Sequence, residues 1–162
     1  GTVWNLKEGN RPDSLTADSV YRVVSRFAPV ADSEAVAYSF WKVISPLPKP
    51  ESEYESIHLD PVDIQSIWQS GDYLNMVLQV MVKDKEHELS FIDNGITSNA
   101  NGTQTLHLTL YHHRKDDVEG FMQKYYLSVP LWHYQGKLNK GDTIVFELYT
   151  YKEGMTQRTF TY

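Results

Sequence analysis

One stretch gathers most of the residue types that do chemistry. "LHLTLYHHRKDDVEGF", residues 106–121, holds three histidines, three acids and two basic residues. Histidine and carboxylate side chains are the ligands of catalytic zinc and the usual general acids and bases. In an extended strand, however, neighbours point to opposite faces, so His112 and His113 cannot close on one ion. His107 and His113 share a face but stand on the order of 20 Å apart. A site therefore needs a second strand. If "HELSFID" (87–93) pairs with "TLHLTLYHH" (105–113) around "NGITSNANG", His87 lies near Leu110 and diagonal to His112. Asp116 or Asp117 from the following loop then completes a two-histidine, one-carboxylate set. The competing reading makes His112 a strand-end histidine whose ring bonds a backbone carbonyl, and this reading leads.

Other chemistry finds less support. The acids of "RKDDVE" (114–119) lack the spacing, central glycine and terminal glutamate of an EF-hand, so they read as a solvated loop. No G-x-S-x-G elbow is present. Glu88, Asp142 and Glu147 read as ordinary strand or turn acids. There are no cysteines, which excludes disulfides, thiolate metal sites and a cysteine nucleophile. The expectation is a protein that is not an enzyme and uses no cofactor. With 15 Lys plus Arg against 21 Asp plus Glu, the formal charge is −6. That balance, without a basic stripe, argues against nucleic acid. An unidentified protein or glycan is the expected partner.

The elements that must carry these residues are strands. Alternation marks "SVYRVVSRF" (19–27) and "AVAYSFWKVIS" (35–45), separated by the turn-like "APVADSE". Then "PLPKPESEYES" (46–56), with three prolines, reads as a linker that cannot enter a sheet interior. Seven further strands are expected at 62–69, 73–83, 87–93, 105–113, 124–132, 143–151 and 156–162, with Gly, Asn and Asp in the turns between them. A single helical turn is expected at 116–123. In "TIVFELYTY", Ile144, Phe146 and Leu148 face one way while Tyr149 and Tyr151 face the other. One greasy face per strand is the pattern of a sandwich. No run of about 20 apolar residues is present to span a membrane.

Aromatic residues make up 13% of the chain, enough to build a platform for a sugar ring or a protein. Trp68 and one face of "KYYLSVPLW", which Trp132 closes, are expected in the core. Tyr149 and Tyr151 are expected to be exposed together and are the candidate ligand-binding pair. His87, His112 and Asp116 are the candidate metal set.

The ordered blocks "IQSIWQSGDYLNMVLQV", "HELSFID", "LHLTLYHHRKDD", "YYLSVPL", "GDTIVFELYTY" and "TFTY" resemble the C-terminal domain of the NigD-like proteins of Bacteroides and relatives, over most of residues 62–162. The resemblance implies an all-β chain, with an OB-like N-terminal barrel over 1–57 and an antiparallel sandwich over 58–162. Three of the five strands of an OB fold are found before residue 46, so either strands precede Gly1 or the barrel is incomplete. It also implies a cell-envelope lipoprotein anchored through a cysteine upstream of Gly1, with a bacteriocin or immunity association and no established catalytic residues. Two further readings stand beside the protein-binding module: a carbohydrate-binding sandwich, and a metal-dependent enzyme using His87 and His112.

Overall fold

The computed structural model describes residues 2–7, 16 and 18–162. Among them the chain forms strands and two short 3-10 turns, with no α-helix. The chain divides into two compact units, one ending at Val43 and the other running Ile44–Tyr162.

In the first unit, β1 (Asn5–Leu6), β2 (Val23–Ala31) and β3 (Glu34–Lys42) make a three-stranded sheet in the order β1-β3-β2. The described strands do not close into a barrel. The expected turn "APVADSE" contracts to Asp32–Ser33, with Ser33 at φ 60. Pro29 is thereby drawn into a strand. It is tolerated because β2 is an edge, where a missing donor breaks no ladder bond.

The second unit is a sandwich of two sheets. The larger contains β4 (Lys49–Pro50), β7 (Glu88–Ser98), β8 (Gln104–His113), β10 (Thr143–Thr150) and β11 (Gly154–Thr161), in the order β11-β10-β8-β7-β4. The smaller is β5-β6-β9, from Asp63–Ser70, Tyr73–Val82 and Phe121–Pro130. The alternating apolar positions meet between them: Leu106, Leu108, Leu110, Ile144, Phe146 and Leu148 from one sheet, Leu74, Met76, Leu78, Val80, Leu127 and Val129 from the other. All of these are almost fully buried.

Residues 44–57 belong to this unit rather than to a linker. Ile44 pairs with Leu127 on the edge of β9, and Lys49–Pro50 pairs with Ile92–Asp93 on the edge of β7. A 3-10 turn at Glu51–Glu53 follows, and then the Tyr54 ring packs 4.6 Å from that of Tyr111. The prolines stay out of the sheet interior, yet the segment they punctuate is a strap across the outer face of β7 and β8. The boundary between compact units accordingly falls after Val43 and not at 57.

Three local expectations fail for identifiable reasons. Trp68 is 45% exposed because a register shift between Ile64 and Ser66 flips the strand, so that Ile67 packs on the core instead. Trp132 is 44% exposed because the strand ends at Pro130 and residues 131–134 form the second 3-10 turn, which buries Leu131 and Tyr134. Residues 116–123 form no helical turn; Asp117 carries the loop into β9 at Phe121.

Phe146→Ala removes a side chain that is 0% exposed at the centre of the larger sheet. The expected loss is about 3–5 kcal/mol in urea denaturation, whereas Trp68→Ala on the outer surface should cost far less; equal losses would contradict this placement.

Candidate functional site

His112 is placed by a parallel strand pair that comes apart. β10 runs beside β8 from Thr105 to Thr109 and then diverges. Residues 58–62 fill the opening. On one side, the His112 amide donates to the His58 carbonyl at 3.0 Å and the Asp60 amide to the His112 carbonyl at 2.9 Å. On the other, the Val62 amide donates to Tyr149 at 3.0 Å and the Tyr151 amide to Val62 at 3.2 Å. The wedge satisfies backbone groups that would otherwise be orphaned where the ladder opens. The carboxylate of Asp60 then accepts from the Arg114 amide at 2.9 Å and lies 3.3 Å from its Nε.

His112 and His113 project to opposite faces of β8. His112, 1% exposed, points inward, with Nδ1 2.9 Å from the Asp60 carbonyl and Nε2 2.9 Å from Nδ1 of His87. Nε2 of His87 lies 3.3 Å from Oδ2 of Asp117. Asp117 in turn accepts backbone N–H groups of Lys83 at 2.7 Å, Asp84 at 3.2 Å and Val118 at 3.1 Å. The result is a buried line: carbonyl, ring, ring, carboxylate.

Both ends of the line are acceptors. The carbonyl at one end only accepts, so His112 carries a hydrogen on Nδ1. The carboxylate at the other end also only accepts. The Lys83 amide foremost, then those of Asp84 and Lys85, hold Asp117 well below the usual carboxylate range, against the opposing effect of burial. Burial also pushes the His112 ring below its ordinary value, opposed by its bond to Asp60 and reinforced by the neighbouring His87.

This geometry does not assemble the metal set. His87 and His112 come together, though with Phe91 rather than His87 opposite Leu110, and their nitrogens face each other directly instead of converging on a third point. Asp117 meets the opposite nitrogen of His87. Asp116 is absent from the line; it sits in the turn at φ 55, its carbonyl accepting from Nζ of Lys85. Among the described residues, no three histidine or carboxylate side chains are placed to hold an ion. The pairing register also differs from expectation, with Leu89 opposite His112, because β7 runs on to Ser98 through a bulge at Asn94–Gly95.

On the outer face, His113 stacks on His58 at 3.6 Å with planes 3° apart, and Nε2 of His58 bonds the Ser56 hydroxyl at 2.7 Å. Beside them a cleft of about 410 Å³ opens between the strap and β7–β8. Its lining includes Tyr54, Tyr111, Glu88 and Lys115. Sequence reasoning missed this site; the tyrosine inside a proline-rich stretch was its one available signal. Tyr149 and Tyr151 are both partly exposed. They do different things: the Tyr151 hydroxyl accepts the Met81 amide at 3.0 Å, while the Tyr149 ring lies over Gly154.

Fold and site together define a two-sheet β-sandwich whose histidine cluster is turned inward on its own backbone. Residues 45–162 match the NigD-like C-terminal beta sandwich domain. The chain belongs to the NigD-like family. It is similar to a NigD-like immunity protein from Bacteroides caccae, with 32% identity, a TM-score of 0.72, and coverage of 88% of this chain and 76% of that one. A toxin-related protein from Parabacteroides distasonis shares the fold at 18% identity and a TM-score of 0.63, over 88% of this chain and 72% of that one. So does a protein of Bacteroides fragilis named as a lipoprotein, at 10% identity and a TM-score of 0.58, over 92% and 84%. No curated protein matches the chain.

The buried ring makes stability depend on pH with a definite sign. An unfolded histidine titrates near pH 6.5. The native His112 ring sits below that, so the folded state binds fewer protons in the interval, and stability falls as pH drops below about 6.5, by at most ~1.4 kcal/mol per pH unit. Urea denaturation at pH 7.5 and 5.5 measures the slope, which should flatten in His112→Gln; a native slope already flat would refute the assignment.

Proposed function

We propose that this chain is a non-enzymatic module of the bacterial cell envelope that binds another protein, in an immunity role towards a bacteriocin. The observation that carries the reading is the likeness, at 32% identity over 88% of this chain, to a protein named as an immunity protein. The site supports it from the chemical side. A catalytic histidine must reach a substrate, and His87 and His112 spend every ring nitrogen on Asp60, Asp117 and each other. What faces outward is recognition surface, namely the strap cleft and the half-exposed aromatic residues. The envelope location draws on the Bacteroides relatives, one of them named as a lipoprotein. Attachment through a lipid follows the same relative's name, and among the described residues no helix is long and apolar enough to cross a membrane.

The test is protection. The chain, expressed behind a lipoprotein signal in a bacteriocin-sensitive Bacteroides strain, should raise survival against culture fluid from a producing strain of the same genus. Equal killing with and without it would overturn the immunity role. Quenching of tryptophan fluorescence by a glycan, without protection, would favour a carbohydrate-binding module instead.

A further inference from the structure

The two tyrosines that stack beneath the strap are in different states. The Tyr54 hydroxyl is engaged, 2.9 Å from the Phe91 carbonyl and 3.0 Å from Oγ of Ser90. Tyr111 is 5% exposed and lines the cleft, and its hydroxyl makes no hydrogen bond to the described residues, although it is not among the fully buried atoms. Around this group the acids outnumber the bases: Glu53, Glu55 and Glu88 line the cleft against Lys49 and Lys115. Burial first, and then Glu88, push the Tyr111 hydroxyl up, with Asp60 and Glu55 adding to the same negative field. The pairing of Lys115 with Glu88 is long, at 3.9 Å, and both side chains are about half exposed, so it is readily exchanged.

We propose that the cleft beneath the strap receives the guanidinium or ammonium group of a basic side chain on a partner protein, with Tyr111 and Glu88 as its receptors. The inference rests on the protein-binding reading and names the chemistry of the partner. A cation entering the cleft donates to the free hydroxyl oxygen, pairs with Glu88 in place of Lys115, and lies against the stacked tyrosine rings, which attract positive charge through their π faces. The formal charge of −6 favours encounter with a basic partner over the whole surface. A carboxylate entering the cleft would face three glutamates against two lysines.

The proposal is tested on the full chain with three capped tripeptides: Gly-Arg-Gly, its neutral citrulline counterpart, and Gly-Glu-Gly. Backbone amide resonances of Ser90, Tyr111 and His113 report binding. The arginine peptide should shift them saturably at millimolar concentration, while the citrulline and glutamate peptides do so weakly. Tyr111→Phe removes one oxygen and leaves the stacked ring in place, and Glu88→Gln alters an exposed side chain, so both variants should fold. Tyr111→Phe should weaken the arginine peptide about two- to tenfold, the net worth of one hydrogen bond, and Glu88→Gln should weaken it further. Equal shifts from arginine and citrulline, no shift at these residues, or unchanged affinity in both variants would each overturn the proposal. Failure here with protection intact in cells would sink the cation site alone, whereas binding without protection would sink the immunity role alone.

Discussion

The insertion of residues 58–62 between β8 and β10 is the constraint on which the rest of the sandwich unit depends. Parallel strands have evenly spaced but slanted bonds and must be covered on both sides. Once β10 leaves β8 beyond Thr109, both strands would present open backbone at the end of the sheet. Instead the wedge pairs with His112 on one side and with Tyr149 and Tyr151 on the other, then crosses to the second sheet as β5. The same wedge fixes the His112 ring through the Asp60 carbonyl and anchors the following loop through the Asp60 carboxylate. Backbone pairing and side-chain chemistry are two results of one insertion.

The His87–His112–Asp117 line is best understood as structure. A buried polar network must be complete, because each unmet group costs about 1–3 kcal/mol. This one is closed at both ends by groups of its own chain, and Asp117 does double work by collecting amides from the turn at 83–84. It ties that turn, the end of β8 and the loop into β9 at one end of the sandwich. The histidine-rich stretch therefore divides its labour across the strand: His112 locks the interior, and His113 stacks with His58 beside the cleft.

How much of this was legible follows the range of each signal. Period-two alternation is local, so the strands from β5 to β11 and the inward set of Leu106, Leu108, Leu110, Ile144, Phe146 and Leu148 were readable. Bulges leave no local trace in composition. The one in β5 turned Trp68 outward, and the one in β7 moved the hairpin register. His87 and His112 meet because both lie at the same end of the hairpin, but the choice of Asp117 over Asp116 depends on a turn held by the amides of a distant segment. Proline chemistry correctly kept 46–50 out of a sheet interior. It cannot say what such a segment covers, and so the strap, the earlier unit boundary and the cleft were invisible.

The strap and wedge also set an order of assembly. Residues 44–62 are synthesised first in the sandwich unit, yet their partners are Leu127 on β9, His112 on β8 and Thr150 at the end of β10. None of these exists when the segment leaves the ribosome. Its partners arrive in stages, first Ile92–Asp93 on β7 and last Thr150, and the last-made strands close on the first-made segment. Long-range pairing of this kind folds slowly and leaves strand edges bare meanwhile.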